Sequence, residues 1–185
     1  MGKIAKLNGA RVAKYKRNLA KWSLNLSPAE IERAAHWYPE TLALCHDIAK
    51  VGSYTIEQSA SIFSAYSPRV PYKRNVTLAY RHARGEQIYG LTNSRKVALQ
   101  AESIGLKALN GPKTQAFARN ILGDTQAVTV DVWHCKAAGL TRKDPTIVQY
   151  REISRATQLL AMDLGLEPST LQALIWVRIR GNKAD

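Results

Sequence analysis

Ile104-Gly105-Leu106-Lys107-Ala108-Leu109-Asn110-Gly111-Pro112-Lys113-Thr114 reads as the end of one helix, a tight linker and the start of the next. Gly105 stops a helix that Thr92 or Asn93 opens, since glycine leaves helical geometry at little steric cost. Residues 105–112 form the linker. Lys113 begins a helix that runs to Leu122 and stops at Gly123.

The same punctuation recurs on both sides. Ser27-Pro28-Ala29-Glu30 is a capping box with proline in the first helical position, and it opens a helix to about Lys50, before Gly52. Thr55-Ile56-Glu57-Gln58 is a second capping box, opening a helix to Tyr66. Ser67-Pro68-Arg69-Val70-Pro71-Tyr72 is excluded from helix, because each proline restricts itself and its predecessor. Helices are expected over 73–84, from Asp131 to Ala138, from Pro145 to Leu164, and from Pro168 or Ser169 to Arg180. No hairpin pattern or internal repeat interrupts them, so the fold class is all-α. Residues 1–26 read as a basic arm interrupted by Gly9, and 27–185 as one domain with two helical lobes and a cleft between them.

Charge narrows the partner. The chain of 185 residues carries 27 Lys and Arg against 14 Asp and Glu, a net +13. Residues 1–29, 58–85 and 103–123 contain no acid at all. Lys14, Arg17 and Lys21 fall in the first window, Arg69, Lys73 and Arg74 in the second, Lys107, Lys113 and Arg119 in the third. Acid-free basic windows suit the neutralisation of phosphates, so DNA is the expected partner. No apolar run approaches the ~20 residues needed to span a bilayer, and no signal-peptide stretch opens the chain. Cys45 and Cys135 are too few for a disulfide framework. The expected setting is a monomer in the reducing cytoplasm, without membrane association.

Two residues carry the candidate chemistry. Lys113 stands at a loop-to-helix junction, and Asp131 follows the apolar run Ala127-Val128-Thr129-Val130 at the start of a later helix. Cleavage of an N-glycosidic bond builds positive charge on the sugar, which a carboxylate stabilises. A lysine amine can displace the base and hold the sugar as a Schiff base. Each residue also has a plainer reading: Asp131 as a helix N-cap, Lys113 as a phosphate contact at a helix start.

The stretch 104–134 resembles the helix-hairpin-helix DNA glycosylases of the endonuclease III and 8-oxoguanine glycosylase kind. Their signature is a Leu-Pro-Gly-Val-Gly-x-Lys hairpin, then a helix, then Val-Asp-Thr/Val-His. Here it reads Ala108-Leu109-Asn110-Gly111-Pro112-Lys113-Thr114, then Val130-Asp131-Val132-Trp133-His134. A weaker likeness covers Phe63-Ser64-Ala65-Tyr66 and Asn75-Val76-Thr77-Leu78-Ala79. Leu109 replaces the first hairpin glycine, Tyr66 stands where the family has a strand-wedging glutamine, and the C-terminal iron–sulfur cysteines are absent. The resemblance implies a glycosylase with abasic-site lyase activity and no cofactor, with Lys113 as nucleophile and Asp131 as charge-stabilising carboxylate. It implies DNA contacts at Asn110, Gly111, Thr114 and His134, and at Tyr66, Arg69, Tyr72, Arg74 and Asn75 around the proline loop. Two other functions remain open from sequence: a non-catalytic module that binds DNA, and an enzyme that remodels a hypermodified base without releasing it. Cys45-His46 and His134-Cys135 make poor metal sites, because adjacent helical residues point about 100° apart.

Overall fold

The computed structural model describes residues 7–141 and 144–180. Among the described residues the secondary structure is helical, with no strand: α1 Gly9–Ala20, α2 Pro28–Gly52, α3 Ile56–Tyr66, α4 Tyr72–Ala83, α5 Thr92–Ile104, a 3-10 turn Gly105–Ala108, α6 Pro112–Ile121, α7 Val132–Ala137, α8 Ile147–Leu164 and α9 Pro168–Arg180. The protein is all-α. The chain divides into two compact units, one made of residues 7–35 with 125–180, the other His36–Asp124.

The second unit is built around α3. Its residues from Ser59 to Tyr66 are all buried, so this helix is covered on every side rather than along one stripe. The Thr55–Gln58 capping box opens it, as the sequence dictates. α5, α6, the 3-10 turn and α4 pack against it. Ile62, Ala65 and Tyr66 meet Leu78, Ile88, Ala98, Leu109 and Ala118 in one core. Burying a side chain such as Phe63 or Ile62 stabilises the fold by about 1.5–3 kcal/mol. α2 contributes Tyr38, Thr41, Cys45 and Ile48, all buried at helical spacing.

Gly105 earns its place through backbone geometry. It adopts φ +53°, and Glu57 Oε1 accepts the N–H of the next residue, Leu106, at 3.2 Å. An added Cβ there would lie 2.2 Å from that oxygen. The linker read from sequence is therefore a 3-10 turn tied to α3.

In the first unit the segment 9–20 is not an arm. Asn8 caps α1 by accepting from the Arg11 N–H, so Gly9 begins this helix rather than interrupting one. Val12, Tyr15 and Leu19 are buried, and α1 packs on α8. The anchor is Glu152, whose side chain is 0% exposed. Its two carboxylate oxygens accept from Arg11 Nε and Nη2, both at 2.8 Å, and Oε1 also accepts from the Asn8 N–H at 2.9 Å. Arg178 on α9 makes a second staple: it donates to Glu30 and to the carbonyls of Trp22, Leu24 and Asn25. Bonds from Ser27 and from Arg178 pull the Glu30 carboxyl down to about 2.

Candidate functional site

α6 starts as the sequence predicts in kind, one residue early. Gly111 is the N-cap, Pro112 takes the first helical position and Lys113 the second. Lys113 Nζ donates to Ser67 Oγ at 3.0 Å and lies 5.9 Å from the centroid of Phe117, one turn further along α6. Ser67 closes α3, and Ser64, one turn before it, donates through Oγ to the Thr114 carbonyl at 2.7 Å. The end of α3 and the start of α6 are thus stitched together, and Lys113 is held at the seam.

An aromatic cluster stands beside this amine. Phe117 packs on Trp37 at 5.9 Å, on Phe63 at 6.1 Å and on Tyr38 at 6.3 Å between ring centroids. Tyr72 closes on Trp37 at 5.6 Å and on Phe63 at 5.8 Å. Thr41 donates to the Trp37 carbonyl, which leaves Tyr72 as the donor in the 3.1 Å contact between the two hydroxyls. Burial raises the Tyr72 phenol, so it stays protonated at neutral pH. Trp37 and Tyr72 keep part of their surface exposed. Sequence reading assigned Trp37 to the core and passed over Ser67 and Phe117. Their link is visible only once α2, α3, α4 and α6 are packed.

The proline loop runs from Ser67 to Pro71 beside Lys113. Arg69 is exposed and sits at φ +61°, a left-handed conformation that costs a residue with a Cβ roughly 1–2 kcal/mol. Arg74 is exposed on the first turn of α4. Asn110 is exposed and Gly111 half-buried. Thr114 Oγ1 donates to the Gly111 carbonyl at 3.0 Å, so its hydroxyl hydrogen is already committed.

Three of the expected DNA contacts are interior residues. Tyr66 is 0% exposed, and its hydroxyl pairs with His82 Nδ1 at 2.9 Å. It cannot wedge a strand, because α3 is buried on all sides at that point. Asn75 is buried and donates from Nδ2 to the Phe63 carbonyl, and Pro71 is the N-cap of α4. His134 is wholly buried, and Thr157 Oγ1 lies 2.8 Å from its Nε2. Thr157 itself donates to the Ile153 carbonyl, so Nε2 carries the hydrogen. Burial pushes the His134 imidazole down to about 4, which keeps it neutral.

Asp131 belongs to the first unit. The run Ala127–Val130 is buried, and Tyr150 on α8 clips it: its hydroxyl accepts from the Val130 N–H at 3.2 Å and donates to the Val128 carbonyl at 2.8 Å. That clip delivers Asp131, half-buried, to the N-cap of α7, where Oδ1 accepts from the His134 N–H at 2.8 Å.

Among the described residues, no group of three or more His, Cys, Asp and Glu is placed to hold a metal ion. Cys45 and Cys135 are buried, and desolvation pushes both thiols up to about 12. No helix among the described residues is long and apolar enough to cross a membrane.

An all-α chain with a lysine at a stitched helix start and a clipped N-cap aspartate defines the class that these observations reach. The chain belongs to a family of unknown function, DUF7178, whose model matches residues 1–183. Comparisons with curated proteins and with solved structures gave no match.

The geometry at Gly111 separates folding from binding. Its φ is −101°, open to any residue, and an added Cβ would meet only Thr114 Oγ1 at an ordinary 3.5 Å. Gly111→Ala is therefore expected to leave the melting temperature unchanged. If a DNA strand approaches the start of α6 closely, the same methyl group lowers duplex affinity about tenfold, measured by fluorescence anisotropy. Unchanged affinity would show that no strand passes there.

Proposed function

We propose that this protein is a DNA glycosylase with abasic-site lyase activity, using Lys113 as nucleophile and Asp131 as the charge-stabilising carboxylate. The observation that carries the reading is the Lys113 amine, held at the start of α6 by Ser67 beside the partly exposed rings of Trp37 and Tyr72. Attack on the sugar requires the free amine. Its lone pair forms the bond to C1′ as the C1′–N bond breaks, and the base leaves with a proton. The sugar ring then opens to an imine. Loss of a C2′ proton breaks the C3′–O bond and nicks the strand, and water hydrolyses the imine to free the lysine. Asp131 offsets the positive charge that grows on the sugar as the base departs. The reaction needs no cofactor. The substrate is duplex DNA with one nucleotide turned out of the stack, its backbone met by Arg69, Arg74 and the start of α6.

A second reading is a DNA-binding module without catalysis. The Lys113–Ser67 bond favours it, because a lysine bonded to a hydroxyl also suits a structural post or a phosphate contact.

Borohydride trapping on a duplex with one abasic site decides between them. The wild-type chain is expected to give a covalent adduct by reduction of the imine, and Lys113→Gln none. Because α1 is packed on α8, the control for adventitious lysines is substitution of the exposed Lys14, Arg17 and Lys21 by glutamine, rather than removal of the segment. That variant should trap as the wild type does. Equal trapping by wild type and Lys113→Gln, or none by either, would overturn the lyase assignment.

A further inference from the structure

The α7–α9 face of the first unit carries a second aromatic and basic cluster, with no role in the chemistry above. The Arg180 guanidinium lies 4.5 Å from the Trp176 ring centroid and 6.0 Å from that of Trp133. Lys136 Nζ lies 5.6 Å from Trp133 on its other neighbour's side of the sequence, one turn along α7. Both indoles are half-buried, and Lys136 is exposed. Val132 and Val177, next in sequence to the two tryptophans, are exposed at 48% and 38%. Neither α7 nor α9 contains an acidic residue.

We infer that Trp133, Trp176, Lys136 and Arg180 form a binding site for single-stranded nucleic acid. Two kinds of group must be satisfied at once: broad indole faces, and cations on helices that supply no carboxylate. An acidic peptide would answer the charge and leave the rings unused. A nucleotide answers both, with its base against an indole and its phosphate on the arginine or lysine. A duplex keeps its bases stacked on one another, so only an unpaired strand can offer them. The overall +13 charge draws such a strand in from solution. Sequence tolerance follows, because every base has a flat face and the cluster offers no directed pattern of donors and acceptors for reading base edges.

The test is a titration of the full-length chain with three probes of equal length: a single-stranded oligothymidylate, a duplex, and a strand of tetrahydrofuran spacers that keeps the phosphates and lacks the bases. The expected result is quenching of tryptophan emission by oligothymidylate, with affinity at least tenfold above that for the spacer strand. Trp133→Phe should remove part of the quenching. The double variant Lys136→Gln/Arg180→Gln, at two helix positions open to solvent, should lower oligothymidylate affinity about tenfold while circular dichroism stays unchanged. Equal affinity for the spacer strand, or the same loss for duplex as for single strand in the double variant, would overturn the site in favour of unspecific phosphate attraction. Displacement of oligothymidylate by polyglutamate at equal charge would overturn it in favour of an acidic peptide. The trapping experiment reads different residues and a different substrate, so failure of either reading leaves the other standing.

Discussion

Asp131→Asn is expected to keep the fold and lower base release by about 10²–10⁴-fold, the range for removing a positioned catalytic carboxylate. The variant is informative because Asp131 has two jobs that asparagine separates. As the N-cap of α7 it accepts the His134 N–H, and asparagine caps a helix about as well as aspartate. The Tyr150 clip on Val128 and Val130 does not involve the side chain of residue 131, so the approach to the cap is also preserved. What asparagine lacks is the negative charge that offsets the developing cation on the sugar. The assay is single-turnover release of base from duplex DNA, with a thermal melt of the same sample. Asp131→Ala supplies the contrast, losing the cap as well, at about 0.5–2 kcal/mol of stability. Activity in Asp131→Asn equal to wild type would reduce Asp131 to a cap and remove it from the mechanism.

Most of the helix pattern was legible because its causes are local. The Ser27–Glu30 and Thr55–Gln58 capping boxes form within four residues, and both stand where the sequence places them. The start of α8 was misplaced at Pro145 because the Thr146–Gln149 box just after it was overlooked. Burial was less legible. Tyr66, Asn75 and His134 were assigned to DNA through likeness of motif, and a motif does not reveal that α3 is enclosed on every side or that His134 faces α8. The aromatic cluster beside Lys113 draws Trp37, Tyr72 and Phe117 from three helices far apart in sequence. No local pattern announces it. The segment 1–26 looked like an arm because its counterion, Glu152, lies 141 positions from Arg11.

That ion pair supports the prediction with the largest effect on stability. Arg11→Ala is expected to lower the melting temperature at pH 7 by roughly 5 °C, the scale for losing charge-assisted bonds in a chain of this size. The direction of its pH dependence follows from Glu152. In the wild-type chain the bonds from Arg11, joined by the Asn8 N–H, hold the Glu152 carboxyl below its ordinary value of 4.5. A depressed carboxylate contributes stability above that ordinary value, and the contribution fades as pH falls through the lower folded one. Without Arg11 the carboxylate stays buried, with only the Asn8 N–H and the Tyr15 ring nearby. Desolvation then lifts it above 4.5, and protonation relieves the variant. Both effects close the gap in acid, so the difference in melting temperature should be largest near neutrality and shrink below about pH 4.5. Thermal melts of the two chains across that range measure it directly. A gap that stays constant with pH would mean that Arg11 holds α1 through its hydrocarbon stem rather than its charge. Glu152→Gln separates these accounts, because it removes the titration and keeps an acceptor for Arg11. Its melting temperature should fall short of wild type at neutral pH and converge with it in acid.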